Sequence, residues 1–331
     1  MKAIQLQRHA RPDEACICVE LEEPGEPDAD EVLVEVQASA INPADLLIFE
    51  GRYPGPAELP AAVGIEGAGQ VLAVGSEVAG LAPGDKVLSL ERANWAERIR
   101  VKAGRVIKLP SALDIRDAAM LKANPPSAHL MLTSYVDLEP GDWVIQNAAN
   151  SAVGRHVIRL AKARDLRSAN VVRRESLIDE LKAIGADCVL LEGDDLATRL
   201  RAEIGEEAPV RLGIDAVGGD ACLHLAEAVS KGATLVNYGF LSGEPCKITP
   251  HHLIVHGLTL KGFWLMQVMG SSTRAEIEAL YAEMAQHFID GTLEVLIEAT
   301  YELPEISQAL AHAYRESRDG KILLTPSGRL A

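Results

Sequence analysis

Trp143-Val144-Ile145-Gln146-Asn147 is a mostly apolar run. It turns through Ala148-Ala149-Asn150-Ser151-Ala152-Val153-Gly154 into a helix carrying His156-Val157-Ile158. Small residues in such a turn let the backbone approach a ligand closely, and the N–H groups at a helix start face an anion. That is the chemistry needed to seat a dinucleotide pyrophosphate. The G-x-G-x-x-G pattern is incomplete, with Ala149 and Ala152 in glycine positions and Gly154 alone retained. A plain strand-to-helix turn would read the same way; its place in the first strand–helix–strand unit favours the cofactor. The next strand, 169–172, ends in Arg173-Arg174, and no carboxylate follows until Glu175. An NAD site needs an acid about 20 residues on, for the ribose 2′-hydroxyl. Two guanidiniums suit a 2′-phosphate instead, and a basic pair at a helix start works against the helix dipole. The expected cofactor is NADPH. Tyr238-Gly239-Phe240-Leu241 ends the fifth strand and is expected to border the nicotinamide, since ligands lie outside the carboxyl ends of such strands. Asp215-Ala216-Val217-Gly218-Gly219 ends the fourth and serves equally as a tight turn. His252 and His256 stand four apart after His251 but lack the acid of H-E-x-x-H, so they read as ordinary helix-face histidines.

The elements that position these residues follow from periodicity. Strands at 143–147, 169–172, 188–191, 212–216 and 234–238 alternate with helices starting near Ala152, Glu175, Ala197 and Ala221. Continuous apolar strands joined by helices mean a doubly wound parallel sheet. A sixth strand is expected at 258–263, then helices at 273–289 and 303–318 and a strand at 321–324. The first third differs. Residues 31–37 alternate with period 2, 64–74 is a glycine-spaced strand, and Ala82-Pro83-Gly84-Asp85 turns into a strand at 86–90. Short strands with turn signals indicate a small barrel-like domain. The stretch 117–136 is helical and broken at Asn124-Pro125-Pro126. The expected fold class is α/β. A β-rich domain spans 1–115 and a Rossmann domain 116–262, and 263–331 finishes the Rossmann sheet and returns to the first domain.

Five pieces carry a resemblance: Asn42-Pro43-Ala44-Asp45, Gly51-Arg52-Tyr53, Glu58-Leu59-Pro60, Val144-Ile145-Gln146-Asn147-Ala148 and Gly262-Phe263-Trp264-Leu265. With the β-rich domain preceding a Rossmann unit, the chain resembles the medium-chain dehydrogenases/reductases, whose first domain is GroES-like. Within them it looks most like the 2-enoyl thioester reductases of mitochondrial-type fatty acid synthesis. Zinc-dependent members carry a Cys before an Asp and a Gly-His-Glu. Here those places read Ala44-Asp45 and Gly64-Ile65-Glu66, and no cysteine lies between Cys18 and Cys188 to build a four-cysteine zinc lobe. No metal is expected. The resemblance implies NADPH-dependent hydride delivery to the β-carbon of an α,β-unsaturated thioester and protonation of the α-carbon. Tyr53 is the implied catalytic donor or orienter. It also implies Asn124 near the nicotinamide or the substrate, and Asn150, Ser151, Ala152, Val153 and Gly154 around the pyrophosphate. Phe263, Trp264 and Leu265 would wall the nicotinamide pocket, and Lys321 would touch the cofactor. Ala152 departs from the glycine usual in these reductases, and Glu175 replaces a further basic residue.

Two other readings stand beside this one. A quinone reductase of the same superfamily would share the zinc-free site, and a nucleotide-binding protein without turnover would keep the Rossmann features but not need Tyr53. The chain has 331 residues, 32 Lys plus Arg against 48 Asp plus Glu, and a net charge of -16, which repels nucleic acid and anionic membrane. No apolar run is long enough to span a bilayer. The five cysteines show no pairing pattern, and the N-terminus has neither a signal-peptide nor a transit-peptide pattern, so a cytoplasmic protein is expected. A small-molecule thioester is the expected partner. The strand at 258–263 would otherwise be an exposed sheet edge, so a homodimer is expected as well.

Overall fold

The computed structural model describes residues 1–315 and 318–328. The chain divides into two compact units, Met1–Ala123 with Arg274–Ala331, and Asn124–Thr273. These boundaries fall later than the expected cuts at 115/116 and 262/263. The reason is local: Ala118, Ala119, Met120 and Leu121 are fully buried, and Lys122 donates to the carbonyls of Ile65 and Glu91 within the first unit.

The strands of the first unit begin with β1 (Lys2–Leu6), β2 (Cys16–Glu20), β3 (Glu31–Ala40), β4 (Ala61–Ala62), β5 (Ala68–Val74), β6 (Lys86–Ser89), β7 (Arg98–Lys102) and β8 (Val106–Lys108). The second unit carries β9 (Trp143–Gln146), β10 (Arg167–Val172), β11 (Cys188–Leu191), β12 (Val210–Asp215), β13 (Thr234–Asn237) and β14 (Thr259–Gly262). The tail returns to the first unit with β15 (Ile297–Tyr301) and β16 (Lys321–Leu324).

In the first unit one sheet runs β2-β1-β4 and a larger one β15-β16-β3-β5-β6-β8, with β7 also paired to β3. Strand β3 is the organiser. Val32, Val34 and Val36 alternate inward, and the strand pairs with β5, β7 and β16. Its register against β5 slips near Gly69, where a Cβ would lie 1.8 Å from the Glu35 carbonyl oxygen, so only glycine permits that approach. The helix Pro43–Phe49 starts with proline in its first turn and a reciprocal capping box between Asn42 and Asp45. Sequence reading placed no helix here, nor a strand at β15.

In the second unit the parallel strand order is β11-β10-β9-β12-β13-β14, the doubly wound arrangement. Two hydrophobic clusters share the burial. One gathers Ile145, Val171 and Leu235 with helix residues Leu200 and Leu225; the other gathers Val172 and Val189 with Ile158 and Leu181. That is why the strands read as unbroken apolar runs. The two helices expected within 117–136 are Ile115–Ala118 and Asn124–Thr133, the second beginning at the Asn-Pro-Pro breaker. The expected helix at 303–318 is Ile306–Ala313 after a short 3-10 turn; residues 316 and 317 lie outside the described residues.

Candidate active site: a nucleotide turn and a buried polar network

The second unit presents a turn shaped for close backbone approach. Ala148 takes a left-handed φ of 48°, unusual for a residue with a side chain, and its carbonyl accepts from Ser151 N. Ser151 then caps the helix Ala152–Ala163, its Oγ accepting from Gly154 N at 3.1 Å. Gly154 is obligatory: a Cβ there would stand 2.5 Å from the Ala149 carbonyl oxygen. Ala152 and Asn150 are half-buried at the mouth of this turn, while Val153 is buried under it.

The neighbouring strand ends are tied to this turn. Asn147, the residue after β9, donates from Nδ2 to Asp215 Oδ1 at 2.6 Å, and its Oδ1 accepts from Ala216 N at 2.7 Å. Asn237 donates to Asp215 Oδ2 at 2.8 Å and to the Gly239 carbonyl at 2.8 Å. The Tyr238 hydroxyl is hydrogen-bonded to Ser151, and burial pushes its phenol well above the ordinary range. Gly239 lies where a Cβ would meet the Ala216 carbonyl oxygen at 2.7 Å. The structure therefore brings together Asn147, Ser151, Gly154, Asp215, Tyr238 and Gly239. The Asn147–Asp215–Asn237 tie was missed in the sequence; Asp215 was noted only as part of a turn.

The remaining candidates on this unit differ in exposure. Arg173 is exposed and Arg174 half-buried just past β10, and among the described residues neither makes an ion pair. Phe240 and Leu241 are exposed. The expected aromatic wall splits. Phe263 is buried with its ring edge-on to Tyr135, whereas Trp264 is exposed and Leu265, half-buried, opens the next helix. Asn124 begins the helix Asn124–Thr133 and is half-buried.

The first unit contributes a different kind of site. Tyr53 sits in the loop after the helix Pro43–Phe49, half-buried against the hydrophobic cluster of Phe49 and Trp95. Gly51 lets the chain leave the helix with φ of 71°. Gly55 and Pro56 of the same loop line a cavity of about 190 Å³ with Ile48, Phe49, Val63 and Ile65. Asp45 and Arg92 supply polar groups to its lining.

Beside this cavity lies a buried polar network. Lys321 donates to Asn42 Oδ1 at 2.5 Å and to the Ile41 carbonyl at 3.1 Å. Asn42 donates from Nδ2 to Glu66 Oε2 at 2.6 Å, and Ala123 N donates to Glu66 Oε1 at 2.8 Å. Asp45 accepts from the backbone N–H groups of Asn42 and Ile65. Burial raises the Asp45 carboxyl to about 7, helped by Glu66 and opposed by those hydrogen bonds and by Lys321. Burial lowers the Lys122 ammonium to about 7 and the Lys321 ammonium to about 8, both opposed by Glu66. Expected as a cofactor contact, Lys321 is found buried in this network. Ala44 and Ile65, at the zinc-ligand positions of related enzymes, carry no donor atom. In the sequence Asn42 and Asp45 are read only for resemblance and Glu66 only against the zinc pattern, and Lys122 sits in no motif, so the network was missed.

Two family descriptions match the chain: an alcohol dehydrogenase GroES-like domain over residues 28–111 and a zinc-binding dehydrogenase over residues 152–286. The mitochondrial enoyl-[acyl-carrier-protein] reductase of Rattus norvegicus is 35% identical over 305 residues, covering 90% of this chain and 82% of that one. A structure of Etr1p in complex with NADP and crotonyl-CoA superposes with a TM-score of 0.86 at 26% identity, over 98% of this chain and 99% of that one. The Escherichia coli quinone oxidoreductase complexed with NADPH superposes with a TM-score of 0.88 at 26% identity, over 98% and 100% of the two chains.

Proposed function

Because this chain belongs to the enoyl thioester reductases of the medium-chain dehydrogenase/reductase superfamily, we propose that it reduces the C2–C3 double bond of 2-enoyl thioesters with NADPH. The observation that carries the proposal is the 35% identity to an enoyl reductase across 90% of the chain. Residues without donor atoms at Ala44 and Ile65 support it, because they leave carbonyl activation to hydrogen bonds.

The turn fits the cofactor: Gly154 and Gly239 stand where any Cβ would strike backbone, so the helix start and the strand end pack closely enough to form the tight turn a pyrophosphate needs. Asn150, Ser151, Ala152, Val153 and Gly154 would hold the pyrophosphate, and Arg173 and Arg174 the 2′-phosphate. Tyr238, Gly239, Phe240, Leu241, Asn124, Trp264 and Leu265 would surround the nicotinamide, with Phe263 supporting from beneath. Lys321 would hold Asn42 and the Ile41 carbonyl in place. When bound, NADPH supplies the hydride for the substrate β-carbon. Negative charge then develops on the thioester oxygen, and hydrogen-bond donors must meet it. Tyr53 supplies or orients the proton that reaches the α-carbon. The apolar cavity lined by Ile48, Phe49 and Val63 suits an acyl chain.

The decisive assay follows NADPH oxidation with crotonyl-CoA, longer 2-enoyl-CoA esters and a 1,4-quinone, in wild type and Tyr53→Phe. Enoyl ester turnover should fall by roughly 10²–10⁴ in the variant, the usual contribution of one placed proton donor. Quinone turnover alone, indifferent to the substitution, would favour the second reading, which the quinone oxidoreductase superposition supports.

We further propose a homodimer paired through the edge strand β14. Among the described residues no helix is long and apolar enough to cross a membrane. The five cysteines are free, which fits a reducing compartment such as the cytoplasm.

A further inference from the structure

The thiols of Cys222 and Cys246 have no part in the proposed reaction, yet they converge on one carboxylate. The ligand atoms of Asp215, Cys222 and Cys246 all lie within 4.8 Å of one another. They come from three separate pieces of chain. Asp215 ends β12, Cys222 lies in the helix Gly219–Ala228, and Cys246 lies in the segment between β13 and the helix Pro250–Ile254. A backbone bridge pairs Gly219 with Cys246, so the two cysteine-bearing segments are held side by side.

The two oxygens of Asp215 are used differently. Oδ1 accepts from Asn147 Nδ2, Val217 N and Gly218 N and is saturated. Oδ2 accepts from Asn237 at 2.8 Å, more distantly from Gly218 N at 3.3 Å, and from the Cys246 thiol at 3.9 Å. It is thus the oxygen turned toward sulfur. Cys222 is fully buried, whereas Cys246 is half-buried and gives the cluster a solvent-facing side.

We propose that Asp215, Cys222 and Cys246 form a binding site for a thiophilic divalent cation, Zn²⁺ or Cd²⁺, taken by two thiolates and one carboxylate oxygen. The fourth position lies on the Cys246 side. Zinc–sulfur bonds of about 2.3 Å place two tetrahedral sulfurs roughly 3.7 Å apart, so the donors need to close by only about an ångström. Binding releases the two thiol protons to solvent and leaves the sulfurs as thiolates, with no change of oxidation state. The cation would staple the segment containing Tyr238 and Gly239 to the end of β12. Because the unfolded chain does not present these three donors together, occupancy stabilises the fold.

The test titrates Cd²⁺ into fully reduced full-length protein. It follows the ultraviolet thiolate-to-cadmium charge-transfer band and the thermal midpoint. Wild type should bind one equivalent with the band intensity of two thiolates, and its midpoint should rise. Cys222→Ala should abolish the two-thiolate band. So should Cys246→Ser, whose half-buried position keeps the test valid if Cys222→Ala does not fold. The double variant Cys16→Ser/Cys18→Ser should retain it. A band that survives in either cluster variant, follows Cys16 and Cys18, or is missing from folded, reduced wild type overturns the proposal.

Discussion

Asp45 is a carboxylic acid almost fully enclosed by protein, two residues beyond the proline that starts its helix. Its folded-state value near 7 lies above the ordinary 3.8. A raised carboxyl binds its proton more tightly when folded, so its stabilising contribution is complete below about pH 4 and is lost as pH climbs through 7. The stability of wild type relative to Asp45→Asn should therefore decline by about 2–4 kcal/mol between pH 4 and 8, read by urea unfolding at each pH. A difference that stays flat would mean that Asp45 does not titrate in this window. Tyr53 is proposed from the family resemblance and the arginine pair from residue type and position. Lys122, Glu66 and Lys321 could not be read as one network, because they meet only after segments far apart in the chain pack together.

The proposed nucleotide turn holds a helix start and two strand ends within hydrogen-bonding distance. Adding one methyl at Gly154 would press on the Ala149 carbonyl. Gly154→Ala should cost about 1–3 kcal/mol of stability, the usual penalty for overpacking, and should weaken NADPH binding in parallel, measured by denaturation and fluorescence titration. The end of β10 is where the proposed choice of cofactor would be made. Each charge-assisted hydrogen bond contributes about 1.5–3 kcal/mol, so Arg173→Ala with Arg174→Ala should lower NADPH affinity at least tenfold while sparing NADH. Equal losses for both cofactors would remove these arginines from 2′-phosphate recognition. The alternation of strands and helices made the Rossmann elements legible. The helix Pro43–Phe49 was not, since seven residues give too few turns for a periodicity to emerge.

At the scale of the whole molecule, β14 ends the parallel sheet with most of its residues exposed, and Leu253, Ile254 and Val255 stand uncovered just before it. Unpaired backbone beside exposed apolar side chains is what a second copy would cover. Ile254→Lys with Val255→Lys should therefore shift the protein to monomer in sedimentation velocity, without altering the far-ultraviolet circular dichroism. A wild type already monomeric at micromolar concentration would rule out the homodimer.

Sequence alone determined the fold class, the parallel sheet, the incomplete glycine turn and the residues flanking it. Those are set by local periodicity and by small-residue spacing, which act between near neighbours in the chain. Tertiary structure alone decided what long-range packing controls. It placed Lys321 on Asn42, 279 residues away, turned Phe263 inward while leaving Trp264 out, and gathered Asp215, Cys222 and Cys246. None of these follows from spacing, because a buried charge or thiol acquires its chemistry from the partners that folding brings to it.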